Sequence, residues 1–452
     1  MKPSLTNCLR KCAAIALLLS PLAMQGQQAK IQNLRAYDQS GINVFETPKE
    51  TDVKFDGLKV RFGAGFTQQF QAIKSENPGA LNSGGTTAAT AQANKLYPLK
   101  PGFMTAQANL FMDVQLADGI RLNVTSYLSA RHHNETWVKG GYIQFDKLPF
   151  KGKVWDDIMK VTTIKVGHFE VNYGDAHYRR PDGGHTLYSP FMEGNIMDAF
   201  ATEIGGEVYV QKNGLFGMAG LTSGMIKGNI DTIFASTDGK TTRKPSIYLK
   251  AGIDKQVTEN VRLRLSGSYY HNGGNYGSGL TLYSGDRTGS NYQNVYDQWT
   301  KGTGAAQSYT ATFSSGRFNP GFSNKIDAVM LNAFAKVYGF EFFGTYESAN
   351  GRSKTETKPR HASQYAVEGI YRIGKEENLF LGVRYNGVSS DMVGYTKDVE
   401  VNRFCLAGGW FITKNVLMKA EVVNQQYKNF LQSDYRYNGK FNGFVLEAVV
   451  GF

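Results

Sequence analysis

The last twelve residues, FNGFVLEAVVGF, alternate strictly. Phe444, Leu446, Ala448, Val450 and Phe452 fall on one side, and Glu447 and Gly451 on the other. A strand side-chain period of two puts the apolar set on one face, so the chain stops on an amphipathic strand ending in an aromatic ring.

The opposite end has a different layout. Lys2, Arg10 and Lys11 precede the apolar run AAIALLLSPLA, and small or polar residues follow around Gly26. This is the layout of a secretory signal over residues 1–26, with an apolar run too short to span as a helix. Cys8 and Cys12 would leave with it, and Cys405 remains as the single cysteine, packed against the wall with no disulfide. A chain bearing such a signal and such a last strand resembles bacterial outer-membrane β-barrel proteins, whose terminal aromatic strand serves in assembly. The resemblance implies a protein seated in outer-membrane lipid and lipopolysaccharide. In a bilayer every backbone polar group must be paired, so a β protein there has to close into a barrel.

Composition agrees. Mean hydropathy is −0.36, yet aromatics reach 13% and glycine numbers 51. Barrels use such residues in interface girdles and tight turns. Loss of Lys2, Arg10 and Lys11 lowers the net charge from +12 by three, to +9. The basic residues fall singly within alternating segments and form no run, which argues for a lining and against a nucleic-acid partner.

Sixteen alternating segments follow: 58–73, 103–117, 120–131, 137–148, 161–174, 198–211, 215–227 and 246–257, then 261–272, 325–339, 340–351, 361–374, 377–390, 400–413, 416–430 and 441–452. Connections switch between short (ADG, KNG, TEN, KEE, TKN) and long (74–102, 175–197, 228–245, 273–324). Short turns on one rim and long loops on the other suit an all-β transmembrane antiparallel barrel of 16 strands with both termini in the periplasm. Two more strands near 291–299 and 307–318 would make 18, the second choice. Sixteen strands is the size class that leaves an aqueous channel. Residues 27–57 precede the barrel (58–452) as a periplasmic segment, too small for a transporter plug, lying on or just inside the rim or meeting a partner.

Alternation turns Lys59, Arg61, Arg262, Arg264, Arg372, Arg384 and Arg403 inward, because outward Arg or Lys would cost roughly 2–4 kcal/mol near the midplane. Asp113, Glu368 and Glu447 also point inward. Two readings stay open: a lumen whose excess of cations favours anions, or charges that pair across the wall and set no selectivity.

Between the fifth and sixth segments, KVGHFEVNYG and the following FMEG are similar to the phosphate-selective porin O/P family. The likeness covers only Gly167 to Glu193, while the general porin pattern covers nearly the whole mature chain. It implies a loop, 175–197, folded into the barrel as a constriction that carries His177, Tyr178, Arg179, Arg180, Asp182, His185 and Glu193. Arg179 and Arg180 would attract anions, Asp182 and Glu193 would hold the loop to the wall, and the histidines would add charge at mildly acidic pH. No ladder of closely spaced Arg or Lys commits the pore to phosphate. The histidines lie eight apart with no cysteine beside them, which is no metal site. Neither GxSxG, HExxH nor GxxxxGK[ST] occurs, and His132–His133 has no matching Ser or Asp motif, so neither an enzyme nor a cofactor is expected.

The expected function is an outer-membrane porin passing small hydrophilic solutes, with an anion preference and a homotrimeric assembly by analogy. The alternative is a barrel scaffold or adhesin using the Tyr-, Gly-, Ser- and Asn-rich loop 273–324. A third possibility, a channel dedicated to one nutrient such as an oligosaccharide, has only the scattered inward rings of Phe111, Phe169 and Phe380 behind it.

Overall fold

A computed structural model describes residues 28–47, 49, 53–78, 95–129, 135–181, 185–225, 243–275, 279–286, 288–298 and 314–452. Residues 1–26, expected to be a secretory signal, lie outside the described residues. Sixteen antiparallel strands form one closed sheet: β1 (Lys59–Glu76), β2 (Gln107–Ala117), β3 (Ile120–Ser129), β4 (Glu135–Phe145), β5 (Thr162–Glu170), β6 (Thr202–Lys212), β7 (Leu215–Thr222) and β8 (Ser246–Thr258). The circuit continues through β9 (Val261–Asn272), β10 (Lys325–Val337), β11 (Phe340–Arg352), β12 (Arg360–Ile373), β13 (Leu379–Ser390), β14 (Val399–Thr413), β15 (Val416–Lys428) and β16 (Lys440–Gly451). A two-residue piece, Gly102–Phe103, pairs with β1 just ahead of β2. Most of the candidate strand 307–318 lies outside the described residues, but β9 pairs directly with β10, so the circuit stays at sixteen.

Closure is made by β1, which pairs with β2 on one side and with β16 on the other. Phe452 and Ala64 exchange backbone hydrogen bonds, both 3.1 Å, where the chain's last residue meets its first strand. Every strand therefore has two neighbours, as a hydrocarbon environment requires. In β16, Phe444 and Leu446 are exposed on the outside while Val445, Glu447 and Val449 are buried inside. The same alternation holds across β9 to β15, and outward aromatics gather beside the short turns at Phe340, Tyr371 and Trp410.

The short turns obey their chemistry. Between β6 and β7, Asn213 and Gly214 both have positive φ (53° and 80°), the pair that a two-residue hairpin needs. One connection on that rim is longer and carries a helix, α1 (Lys153–Met159).

The lumen differs from an open channel narrowed by one loop. Three segments fill most of it: the strap 28–47, the inward loop between β5 and β6, and the described parts of loop 273–324. Phe191, Met192, Ile196, Tyr292 and Val295 join wall residues such as Ile326, Ala328 and Val445 in one cluster at 0% exposure. The physical reason is apolar: these loop side chains gain by leaving water, and a barrel of this width has room to take them.

Candidate permeation site

The strap is tied to the wall by side-chain hydrogen bonds. Gln115 accepts from the Gln32 backbone N–H at 2.9 Å, the Tyr37 hydroxyl donates to Asp113 at 2.8 Å, and the Asn43 amide donates to Glu341 at 2.6 Å. Deeper in, Glu46 and Asp175 share Arg264, with contacts of 2.6–2.8 Å, and Lys250 lies 2.6 Å from Asp175. Strap, inward loop and wall thus meet in one buried charge cluster.

The structure places the wall cations inward and pairs most of them. Arg372 bonds Glu341 at 2.6 Å, Arg384 bonds Glu368 at 2.7 Å, and Arg262 bonds Asp254 at 2.7 Å. Arg403 donates to Gln425 at 2.6 Å and to the carbonyls of Gly194 and Gly316. Lys59 pairs with Asp56 at the rim, and Arg61 sits 4.8 Å above the Tyr37 ring. The reading in which charges pair across the wall describes these buried residues better than a free cationic lining.

The inward loop divides in two. Arg179 packs between Glu341 and Glu368, Arg180 grips Asp198 at 2.7 and 2.8 Å, and Glu193 accepts from Arg317 at 2.7 Å. These three are engaged in ion pairs that hold the loop in place. Asp182 lies outside the described residues. His177, Tyr178 and His185 instead border a cavity. Desolvation by burial holds the His185 imidazole down to about 3, with Arg35 pushing the same way. Burial lowers His177 as well, against the opposing pull of Glu170. The His185 ring is neutral at mildly acidic pH, against the expectation that it adds charge there, and His177 is shifted in the same direction.

That cavity has a volume of 240 Å³ and follows the inner wall formed by β3 to β6. Along β6 its lining runs from Thr202 to Gln211, near the two ends of the strand. At about 3.3 Å per residue and a tilt near 40°, this is roughly 20–25 Å of membrane depth. Four cations line it, Arg35, Arg121, Lys139 and Lys165, against one carboxylate, Glu170. Lys165 stands 3.5 Å from Glu207 and Arg121 3.7 Å from Asp113, while Lys139 pairs with Asp286 of loop 273–324. Arg35 donates to the carbonyls of Gly41 and Tyr178 and lies 3.8 Å above the Tyr188 ring. None of these four was singled out from sequence. Alternation carries the signal for two of them, since Arg121 follows Ile120 and precedes Leu122, and Lys165 stands between Ile164 and Val166.

No family model and no curated protein matches the chain. Solved structures do. An anion-selective porin from Comamonas acidovorans superposes with a TM-score of 0.51 at 9% identity, over 87% of this chain and 100% of that one. OmpT of Vibrio cholerae gives 0.48 at 10% identity over 88% and 99%. The outer membrane channel DcaP of Acinetobacter baumannii gives 0.47 at 10% over 88% and 99%. What the first comparison establishes, together with the closed circuit of strands, is the fold: this chain is a sixteen-stranded antiparallel barrel of the outer-membrane type.

Proposed function

We propose that the chain is an outer-membrane porin through which small hydrophilic solutes diffuse passively, with a preference for anions. The observation that carries this reading is the cavity along β3 to β6, where four cations face one carboxylate over most of the depth of β6. Cationic linings favour anions in pores. The conduit is narrow and lies to one side of the packed cluster that the inward loop and loop 273–324 form with the wall. The selectivity named in the Comamonas structure's description belongs to that protein and serves only as a parallel. Phosphate specificity of the O/P kind finds no ladder of Arg or Lys to support it. A homotrimer, delivered to the outer membrane by a cleaved signal, completes the proposal by analogy with porins.

The adhesin reading draws less support than sequence allowed. In loop 273–324 the described residues Leu282, Tyr283, Tyr292, Val295, Tyr296 and Phe318 are buried inside the barrel and are not displayed outward.

The test is the reversal potential of the purified protein in a planar bilayer under a KCl gradient. Stepwise conductance with the sign for chloride is the expected result. A cation-selective sign would refute the anion preference, and silence from folded protein would refute the porin.

A further inference from the structure

The wall of the conduit is more specific than a positive field requires. Aromatic rings crowd it, among them Tyr37, Phe111, Tyr142, Phe169, Tyr188 and Tyr209. Several hydroxyls are already engaged away from the space. Tyr37 donates to Asp113, Tyr188 to the Ala36 carbonyl and Tyr209 to Glu207. These three tyrosines therefore offer a solute ring surface more than hydroxyl groups.

The cations are placed against those rings. Lys165 lies 4.4 Å from the Tyr142 centroid and 4.2 Å from that of Phe169, and Arg121 lies 5.9 Å from Tyr142 on its own account. Two cations thus converge on one tyrosine beside one phenylalanine. Arg121 adds an independent observation. Its residue is only 4% exposed, yet its Nε and Nη1 have no hydrogen-bond partner, the Asp113 carboxylate standing 3.7 Å from Nη1. A buried donor left without an acceptor is costly, so this guanidinium is set up to receive one. Its outer nitrogen Nη2 is meanwhile fixed by Gln144 at 2.8 Å, which orients the group.

From this juxtaposition we infer that the conduit contains a subsite for small organic anions in which a carboxylate is joined to a flat apolar body, the aryl carboxylate class. The inference rests on the porin reading above. The carboxylate goes to Arg121 and Lys165, and the ring of the solute stacks among Tyr142 and Phe169. The 240 Å³ cavity, room for about eight waters, takes one such molecule with part of its hydration. A fully hydrated inorganic anion gains nothing from the rings.

The experiment uses the purified full-length mature protein in planar bilayers, with potassium chloride replaced on one side by potassium benzoate or potassium acetate. Both probes are monocarboxylates, and benzoate is the larger. A pore that only sieves passes benzoate less readily than acetate. The subsite predicts the reverse, a benzoate-to-acetate permeability ratio of about three to ten, the range one aromatic contact supports, or else a benzoate block of chloride current that acetate does not produce. Phe169→Leu and Tyr142→Leu should erase the difference, and Arg121→Gln should lower the permeability of both carboxylates relative to potassium. Heat-modified migration in electrophoresis checks that each variant is folded. Chloride conductance with a ratio below one and no block would overturn the subsite and leave the porin standing. No chloride conductance from folded wild-type protein would overturn both.

Discussion

Inward glutamates in this barrel mostly hold tyrosines. Tyr283 and Tyr173 donate to Glu347 at 2.7 and 3.0 Å, Tyr270 to Glu203 at 2.6 Å, Tyr248 to Glu207 at 2.8 Å, and Tyr292 to Glu421. Each such contact satisfies a buried hydroxyl and a buried carboxylate together, which lets polar loop residues leave water without an unpaired group. Asp175 is the charged counterpart of this device, buried against Arg264, Lys250 and the Ser266 hydroxyl. Asp175→Asn would leave two buried cations with less compensation. Breaking a buried charge network of this kind costs about 3–5 kcal/mol. We expect a lower temperature for heat modification and a larger mean conductance as the inward loop loosens. An unchanged melting point and current would show that the cluster contributes nothing to docking. His185 gives a pH test of the same loop. Its ring stacks on Phe111 at 4.6 Å, and it titrates near 3 when docked, against an ordinary 6.5. The released loop therefore binds more protons between these values. Docking is at full strength above pH 6.5 and weakens as pH falls through the window toward 3. Conductance should rise on acidification from pH 7 to pH 4, and His185→Gln should flatten that rise.

Elements differ in how far they can be read in advance. All sixteen strands, and the inward face of Arg264, Arg384 and Arg403, follow from a period of two, because the bilayer forbids the opposite register. What meets that inward face does not follow from it. The stretch around Tyr292 and Val295 has the composition of a solvated loop, yet its tyrosines find carboxylates inside and its aliphatic side chains find the wall. The strap 28–47 alternates poorly because it forms no strand; its contacts are single side chains reaching the wall, such as Gln32 to Gln115, with no period to betray them. The strap also supplies Leu34, Arg35, Tyr37, Phe45 and Thr47 to the conduit. Deleting residues 31–47 should therefore widen the passage and raise single-channel conductance. A milder version exploits Gly41, where a Cβ would come within 2.1 Å of the Ala36 carbonyl oxygen and 2.8 Å of the Tyr188 ring. Gly41→Val must push strap and inward loop apart, so its conductance should move the same way. If both variants conduct like the wild type, the strap is no wall of the pathway.

At the scale of the whole molecule, the charge that matters is the charge left uncovered. The mature chain would carry about nine positive charges in excess, but most inward cations, Arg264, Arg372 and Arg384 among them, are cancelled by carboxylates within a few ångströms. The cavity along β3 to β6 faces four cations and one carboxylate, with Glu207, Asp113 and Asp286 standing beside three of those cations. Selectivity from such a site acts through its field, and fields are screened: the Debye length is about 10 Å at 0.1 M salt and about 3 Å at 1 M. A conduit wider than the shorter length and narrower than the longer one should lose its anion preference between those two conditions. Reversal potentials measured at a fixed tenfold gradient, with mean concentration stepped from 0.05 to 1 M (roughly the span over which screening changes most), should shrink toward the value set by ion mobilities alone. Lys165→Glu should reverse the sign at the low end of that series and leave the high end nearly unaffected. A preference that held constant with salt would mean that ions are chosen by direct coordination, and the paired cations of the wall would then have to be reconsidered as ligands.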